Sequence, residues 1–258
     1  MESTSFYMTV PSNASMDIYP NNTLANFRIQ LPRRLYLNQK YEVALVEMQY
    51  PLRWETFSQS SSYHLHCKIP MESNGFTIKI AEIPEGCYKS INELVTVINE
   101  SLREIMLANG HPPDAIVLTD QPLKQRVHIS CQAGYLIKFP SECSHVLGMD
   151  PDLNYSGPSS WSRHTYDISR GFYSLYVYCS IVEPQIVGDA YAPLLRTVAV
   201  EGDRGQHVIK TFLKPHYLQV NADEVRVIEI NIKDDTGRDV PFMSGRVVCK
   251  LHFRQKAI

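Results

Sequence analysis

The run Tyr173-Ser174-Leu175-Tyr176-Val177-Tyr178-Cys179-Ser180-Ile181 repeats with a period of two, which is the spacing of a strand with one face in a core and the other outside it. Tyr173, Leu175, Val177, Cys179 and Ile181 share one face and are expected to point inward. Tyr176 and Tyr178 fall on the other. Two later segments behave alike: Ile228, Ile230 and Ile232 form one apolar face, and Val247, Cys249, Leu251 and Phe253 form another. The opposite face of that last strand carries Lys250, His252 and Arg254, so it should be wet or in contact with a partner. Strands of this kind bury their apolar faces by packing sheet on sheet, which gives an all-β sandwich.

Earlier in the chain, Phe27, Ile29 and Leu31 alternate with Arg28 and Gln30. Pro32 then ends the ladder, because it brings no backbone donor. From Tyr41 to Tyr50 only Glu42, Glu47 and Gln49 interrupt the apolar residues, as expected of a strand in the middle of a sandwich. No internal repeat is visible, which argues against a propeller or a solenoid.

A helix breaks this pattern. Ser90 and Glu93 have the spacing of a capping box, Ile91, Leu94, Val95, Ile98, Leu102, Ile105 and Met106 fall on one helical stripe, and Asn109-Gly110 supplies a stop. The spacing predicts a helix from Ser90 to Asn109, packed on strands of its own neighbourhood because it has a single apolar stripe beside Glu100, Arg103 and Glu104. Short strands are expected at Phe76 to Ile80, Ala115 to Leu118, Arg126 to Cys131 and Tyr135 to Phe139. Residues 58–165 therefore read as a small α/β insertion in a sandwich made of residues 1–57 and 166–258. The Ser/Gly/Pro-rich stretch from Asn154 to Ser162 is expected to return the chain to the main sheet.

Composition bounds the function. The 258 residues include 25 basic and 27 acidic side chains, a formal charge of -2, so the chain as a whole has no electrostatic reason to condense on nucleic acid. The first Lys or Arg is Arg28, so no basic arm is expected either. The Met1-Glu2-Ser3-Thr4-Ser5 start lacks the basic and apolar stretches of a signal peptide, and no run is long enough to span a bilayer. Sequons at Asn13, Asn21, Asn99 and Asn154 then read as chance matches. The six cysteines, at 67, 87, 131, 143, 179 and 249, contain no Cys-x-x-Cys pair and read as small apolar residues in a reducing compartment.

Candidate chemistry is sparse. Asp235-Thr236-Gly237 matches the tripeptide around the catalytic carboxylate of aspartic proteases, but only one copy exists, and such an enzyme needs two carboxylates sharing a proton. Lys233-Asp234 before it and Arg238-Asp239 after it suit a hairpin turn better, with Gly237 at the position requiring positive φ. His64, His66 and Cys67 could be called a metal cluster, yet on a strand the two histidines point one way and the cysteine the other. A Cys-His nucleophile has no motif to single it out, and phosphate loops, G-x-S-x-G and His-Glu-x-x-His are missing from the sequence. The chain is expected to be no enzyme and to need no cofactor or metal. Phe172-Tyr173 with Tyr176 and Tyr178 could stack sugars or single-stranded nucleic acid, but tyrosine is favoured in strands and interfaces alike, and packing against another subunit is the stronger reading.

Two groups of segments resemble a known family. One is Tyr19-Pro20-Asn21-Asn22-Thr23 through Phe27, Leu31-Pro32, Leu35 and Leu37, then Glu42-Val43-Ala44-Leu45-Val46-Glu47-Met48 and Tyr50-Pro51. The other runs from Tyr176-Val177-Tyr178-Cys179 and Ile181-Val182-Glu183-Pro184-Gln185 through Val187-Gly188-Asp189, Ala192-Pro193-Leu194-Leu195-Arg196 and Pro215-His216-Tyr217. It continues with Ile228-Glu229-Ile230-Asn231-Ile232, Asp234-Asp235-Thr236-Gly237, Val240-Pro241-Phe242, Gly245 and Leu251-His252-Phe253-Arg254. In order and content these resemble the penton (minor capsid) proteins of Polinton/Maverick elements and adintoviruses. Asn38-Gln39-Lys40 stands where the family has a glycine, and residues 58–165 match more weakly, best at the capped helix and Leu147-Gly148-Met149-Asp150.

The resemblance implies a jelly roll and a homopentamer at the five-fold vertices of an icosahedral virion capsid, next to a double-jelly-roll major capsid protein. A five-fold ring needs two different, complementary patches on each subunit. Tyr176 and Tyr178 are expected to supply one, and Lys250, His252 and Arg254 the other. The competing expectation is a domesticated jelly roll acting as an interaction or glycan-binding module.

Overall fold

The structure is a computed structural model that describes residues 5–37, 41–54, 56–57, 63–71, 75–169 and 173–256, apart from the side chain of Glu142. Asn38-Gln39-Lys40 and Phe172, both named above, lie outside the described residues. The chain divides into two compact units, Met1–Trp54 with Phe172–Ile258, and Glu55–Gly171. The first unit begins with β1 (Phe6–Pro11), β2 (Asn26–Tyr36) and β3 (Tyr41–Pro51). The second holds β4 (His64–Pro70), β5 (Phe76–Glu82), α1 (Ile91–Ala108), β6 (Ile116–Gln121), β7 (Arg126–Cys131), β8 (Leu136–Lys138), α2 (Ser141–Leu147), β9 (Tyr155–Ser156) and β10 (Ser160–Trp161). The first unit resumes with β11 (Ser174–Cys179), β12 (Gln185–Val187), β13 (Ala190–Ala192), β14 (Leu194–Ala199), β15 (His207–Thr211), β16 (Leu218–Gln219), β17 (Glu224–Lys233) and β18 (Val248–Gln255).

In the first unit one sheet runs β1-β18-β3-β15, with the short β16 also paired to β3, and the other runs β14-β11-β17-β2. Setting aside β16 and the separate β12–β13 hairpin leaves eight strands, whose pairing is nested. The first pairs with the last, β2 with β17, β3 with β15, and β11 with β14, all antiparallel. A nested antiparallel ribbon rolled into two sheets is a jelly roll. Two further ladders, β18 to β3 and β17 to β11, hold each sheet together across the roll.

The alternation read from the sequence sets the core. Leu175, Val177, Cys179, Ile181, Ile228, Ile230, Ile232, Val247, Cys249, Leu251 and Phe253 are all buried in one cluster with Phe27, Val43, Leu45 and Met48. Tyr173 corrects the expectation, because it is 64% exposed. Periodicity assigns a face but not a depth, and Tyr173 lies beyond the Ser174–Ala199 pair that opens the β11–β14 ladder. Pro32 acts on the ladder more than on the strand: β2 pairs with β17 up to Gln30–Val227, breaks, and resumes at Leu35–Val225. In β3 a bulge after Leu45 lets Glu47, not Val46, face Lys250, which keeps Leu45 and Met48 on the core side.

The second unit has its own core, closed by helix on sheet. Its sheets run β5-β4-β8-β9 and β10-β7-β6. Helix α1 buries Ile91, Leu94, Val95, Ile98, Leu102 and Met106 among Leu65, Ile69, Ile116, Leu118 and Ile129, so the stripe packs on strands of its own unit. Ser90 Oγ accepts from the Glu93 N–H at 3.2 Å. The Glu93 carboxylate accepts from the Lys89 N–H at 2.7 Å, one residue before the position of a reciprocal box. All four short strands expected around the helix form, as β5 to β8. The Asn154 to Ser162 stretch departs from expectation: it carries β9 and β10, which extend the insertion's sheets instead of leading back to the main one. Two-residue strands are too short to show a period in sequence. Among the described residues no helix is long and apolar enough to cross a membrane.

Candidate assembly surfaces

Because Cys249, Leu251 and Phe253 face the core, Lys250, His252 and Arg254 stand on the outer face of the β1-β18-β3-β15 sheet. They are not free cations there. Tyr7, opposite His252 in the β1–β18 ladder, stacks on its ring at 4.4 Å between centroids. On the other side Tyr217 Oη and His252 Nδ1 share a 2.7 Å hydrogen bond. The Arg254 guanidinium lies 3.5 Å over the Tyr217 ring and donates from Nε and Nη2 to Glu42 Oε2, at 3.0 Å each. Lys250 Nζ is 5.7 Å from the Tyr7 ring centroid and opposite Glu47 in the ladder. Partial burial, and then the positive charge of Arg254, hold the His252 pKa below its usual value. The result is a fixed aromatic and cationic surface, with Tyr7 64% exposed at its rim.

Tyr176 and Tyr178 occupy the outer face of the other sheet, β14-β11-β17-β2, each half-buried. Tyr176 stands between Thr197 and Lys233, and Tyr178 between Leu194 and Asn231. Burial, and secondarily the neighbouring Tyr176, push the Tyr178 phenol up. Further along this face, Arg28 Nε donates to Glu229 Oε2 at 2.8 Å and Asn231 Nδ2 to Glu229 Oε1 at 3.2 Å. The five residues singled out in the sequence thus form no single site; they lie on the outer faces of opposite sheets. Tyr7 and Tyr217 were missed, since nothing local marks residues so distant in sequence as neighbours of His252. Also missed was the cross-strand pair Ile186–Tyr191 on the β12–β13 hairpin, 70% and 77% exposed.

The sites considered for chemistry resolve locally. Asp235 is exposed, and the turn is organised by the buried Asp234 instead. Asp234 Oδ1 accepts from the Thr236 N–H (2.8 Å), the Thr236 hydroxyl (2.7 Å) and the Arg238 N–H (2.9 Å), and Gly237 takes φ of +79°. His64 and His66 stand on the outer face of β4, whereas Cys67 is buried in the core, so the three do not converge. Burial pushes the Cys67 and Cys179 thiols up to about 12 and Cys131 to about 11, away from nucleophilic use at neutral pH. Asn99 is half-buried and spends its amide on α1–β6 packing, donating to the Leu118 carbonyl at 2.8 Å and accepting from its N–H at 2.9 Å. A polar cleft of ≈ 410 Å³ is lined by Tyr19, Asn21, Thr23, Asn26, Arg28 and Asp239, among others.

A jelly roll interrupted between its third and fourth strands by an α/β unit has a solved counterpart among viral capsid pentons. That counterpart is the mavirus penton protein, whose crystal structure matches with a TM-score of 0.55 over 98% of this chain and 99% of that chain, at 11% sequence identity. The likeness establishes a shared fold, spanning the jelly roll and the insertion together. No family model matches the chain, and no curated protein matches its sequence.

Proposed function

We propose that the chain is a structural capsid protein that forms the vertex, or penton, of an icosahedral double-stranded DNA virus or virus-like transposon of the Polinton/Maverick or adintovirus kind. The observation that carries this reading is the end-to-end match to the mavirus penton fold, insertion included. In this reading five copies associate through their jelly rolls, the Tyr176 and Tyr178 face of one copy meeting the Tyr7, Lys250, His252 and Arg254 face of the next. Two unlike surfaces on opposite sheets are what a head-to-tail ring requires, and aromatic side chains with arginine are the groups enriched at such contacts. The ring's neighbours would be double-jelly-roll major capsid proteins, with the genome bound by another chain, in keeping with the formal charge of -2. The protein would act in the virion capsid and without catalysis. Electron microscopy of the purified protein tests the reading: five-fold rings support it, and particles with two-fold or three-fold symmetry refute it.

A second reading, a glycan-binding module, draws on the polar cleft beside Tyr19, where amides, a guanidinium and a carboxylate could hydrogen-bond a sugar. Binding on a glycan array that is lost in Asp239→Ala would favour it.

A further inference from the structure

Strand β5 reads Phe76-Thr77-Ile78-Lys79-Ile80-Ala81-Glu82, an alternation that ordinarily turns its large apolar residues to a core. The opposite occurs. Phe76, Ile78 and Ile80 are 61%, 57% and 49% exposed, and the small Ala81 takes the buried side. A slip of one residue would exchange the two sets, but an uninterrupted ladder from His64–Glu82 to Pro70–Phe76 fixes the register. The same ladder places Leu65, Cys67 and Ile69 of β4 in the core, so the inverted setting belongs to β5 alone. Beside it Met71 is also exposed. Large apolar side chains exposed side by side and rimmed by polar residues are the pattern of a contact site, and β5 is the edge strand of its sheet.

The charges around the strip identify what would cover it. Directly across the ladder on the same outer face are Lys68 opposite Ile78 and His66 opposite Ile80, and β8 adds Leu136 and Lys138. Among the described residues of this face the acid is Glu82, held by His64 at 3.4 Å at the far end of the strand. A second copy bringing the same face would double its excess of lysine charge, whereas an acidic partner would complement Lys68 and Lys138. We infer that the outer face of β5 is a docking surface for an acidic amphipathic segment of a partner protein, its apolar side on Phe76, Ile78 and Ile80 and its carboxylates toward Lys68 and Lys138.

The test uses the full-length protein and two synthetic amphipathic peptides with one shared apolar pattern, carrying Glu or Lys on the polar side. Fluorescence anisotropy and hydrogen exchange over residues 76–82 are read in parallel. The Glu peptide is expected to bind at least about tenfold tighter than the Lys peptide, to weaken as salt rises, and to slow exchange along β5. Both Ile78→Ser/Ile80→Ser and Lys68→Glu/Lys138→Glu should abolish this while leaving the melting temperature unchanged. Equal binding of both peptides, binding of neither, or full binding by the lysine variant would overturn the inference. So would a change in the mass of the unliganded protein on Ile78→Ser/Ile80→Ser, because the face would then belong to a second copy. Should the serine variant fail to fold, the lysine variant keeps the apolar strip intact and decides the matter.

Discussion

In the jelly-roll unit β17 turns Ile228, Ile230 and Ile232 to the core and answers its outward Glu229 with Arg28. In the insertion β5 turns Phe76, Ile78 and Ile80 to solvent. Both strands are amphipathic in sequence, so the difference lies in what the ladder partner demands. A jelly-roll strand is covered by an opposing sheet, and its apolar face has one place to go. The edge strand of the insertion is fixed by β4, whose own Leu65, Cys67 and Ile69 already fill the core beneath α1. Amphipathicity therefore locates a face that is to be covered, and only topology says whether the cover comes from within the chain.

The largest effect that would break this contrast is at the centre of the sandwich. Phe253→Ala, which removes a fully buried ring stacked on Phe6 at 4.8 Å, should cost about 3–5 kcal/mol in chemical unfolding. Ile78→Ser should stay within about 0.5 kcal/mol of the parent; a large loss there would mean that β5 is covered after all. Next comes Leu94→Ala in α1, expected to cost about 2–5 kcal/mol. Hydrogen exchange should show that loss in β6 and β7, with β17 still protected, since the two units have separate cores. Equal loss of protection in β17 would dissolve the distinction between them.

At the β17–β18 turn, Asp234→Ala removes an acceptor of three hydrogen bonds and should cost about 1–3 kcal/mol. Asp235→Asn, at the exposed position, should be neutral and leave assembly intact. The parent should show no pepstatin-sensitive cleavage of a peptide library at mildly acidic pH, and cleavage abolished by Asp235→Asn would revive the protease. The smallest effect concerns His252. Its folded pKa lies below the ordinary 6.5, so near that value the unfolded chain binds more protons than the folded one. Its contribution is fully present above about pH 6.5 and declines as pH falls toward the lowered folded value. Thermal melts should show a small acid-side loss in the parent that His252→Gln lacks.

The sequence made the regular parts of this molecule legible. The alternation at 175–181, 228–232 and 247–253 and the stripe from Ile91 to Met106 locate both cores, because a long amphipathic period has one physical reading. Short elements escaped: α2 has no side-chain cap, and β9 and β10 are two residues each. Register escaped as well, since the alternation in β5 is the same whichever face is covered. Of the candidate surfaces, Lys250, His252 and Arg254 were visible as an outward set, but Tyr7, Tyr217 and Glu42, which hold them in place, arrive from three other parts of the chain. Such convergence is a property of the roll and of no local pattern.

The central claim is a five-fold ring built through two unlike faces, and mass in solution tests it most directly. Sedimentation equilibrium on concentrated protein, repeated at low and high salt, is expected to give five times the chain mass for the parent. Tyr178→Arg on one face and Tyr7→Ala at the exposed rim of the other should each shift the population toward monomer without lowering the melting temperature. A concentrated parent that stays monomeric, or settles as a dimer or trimer through an interface larger than a crystal contact, would contradict the account.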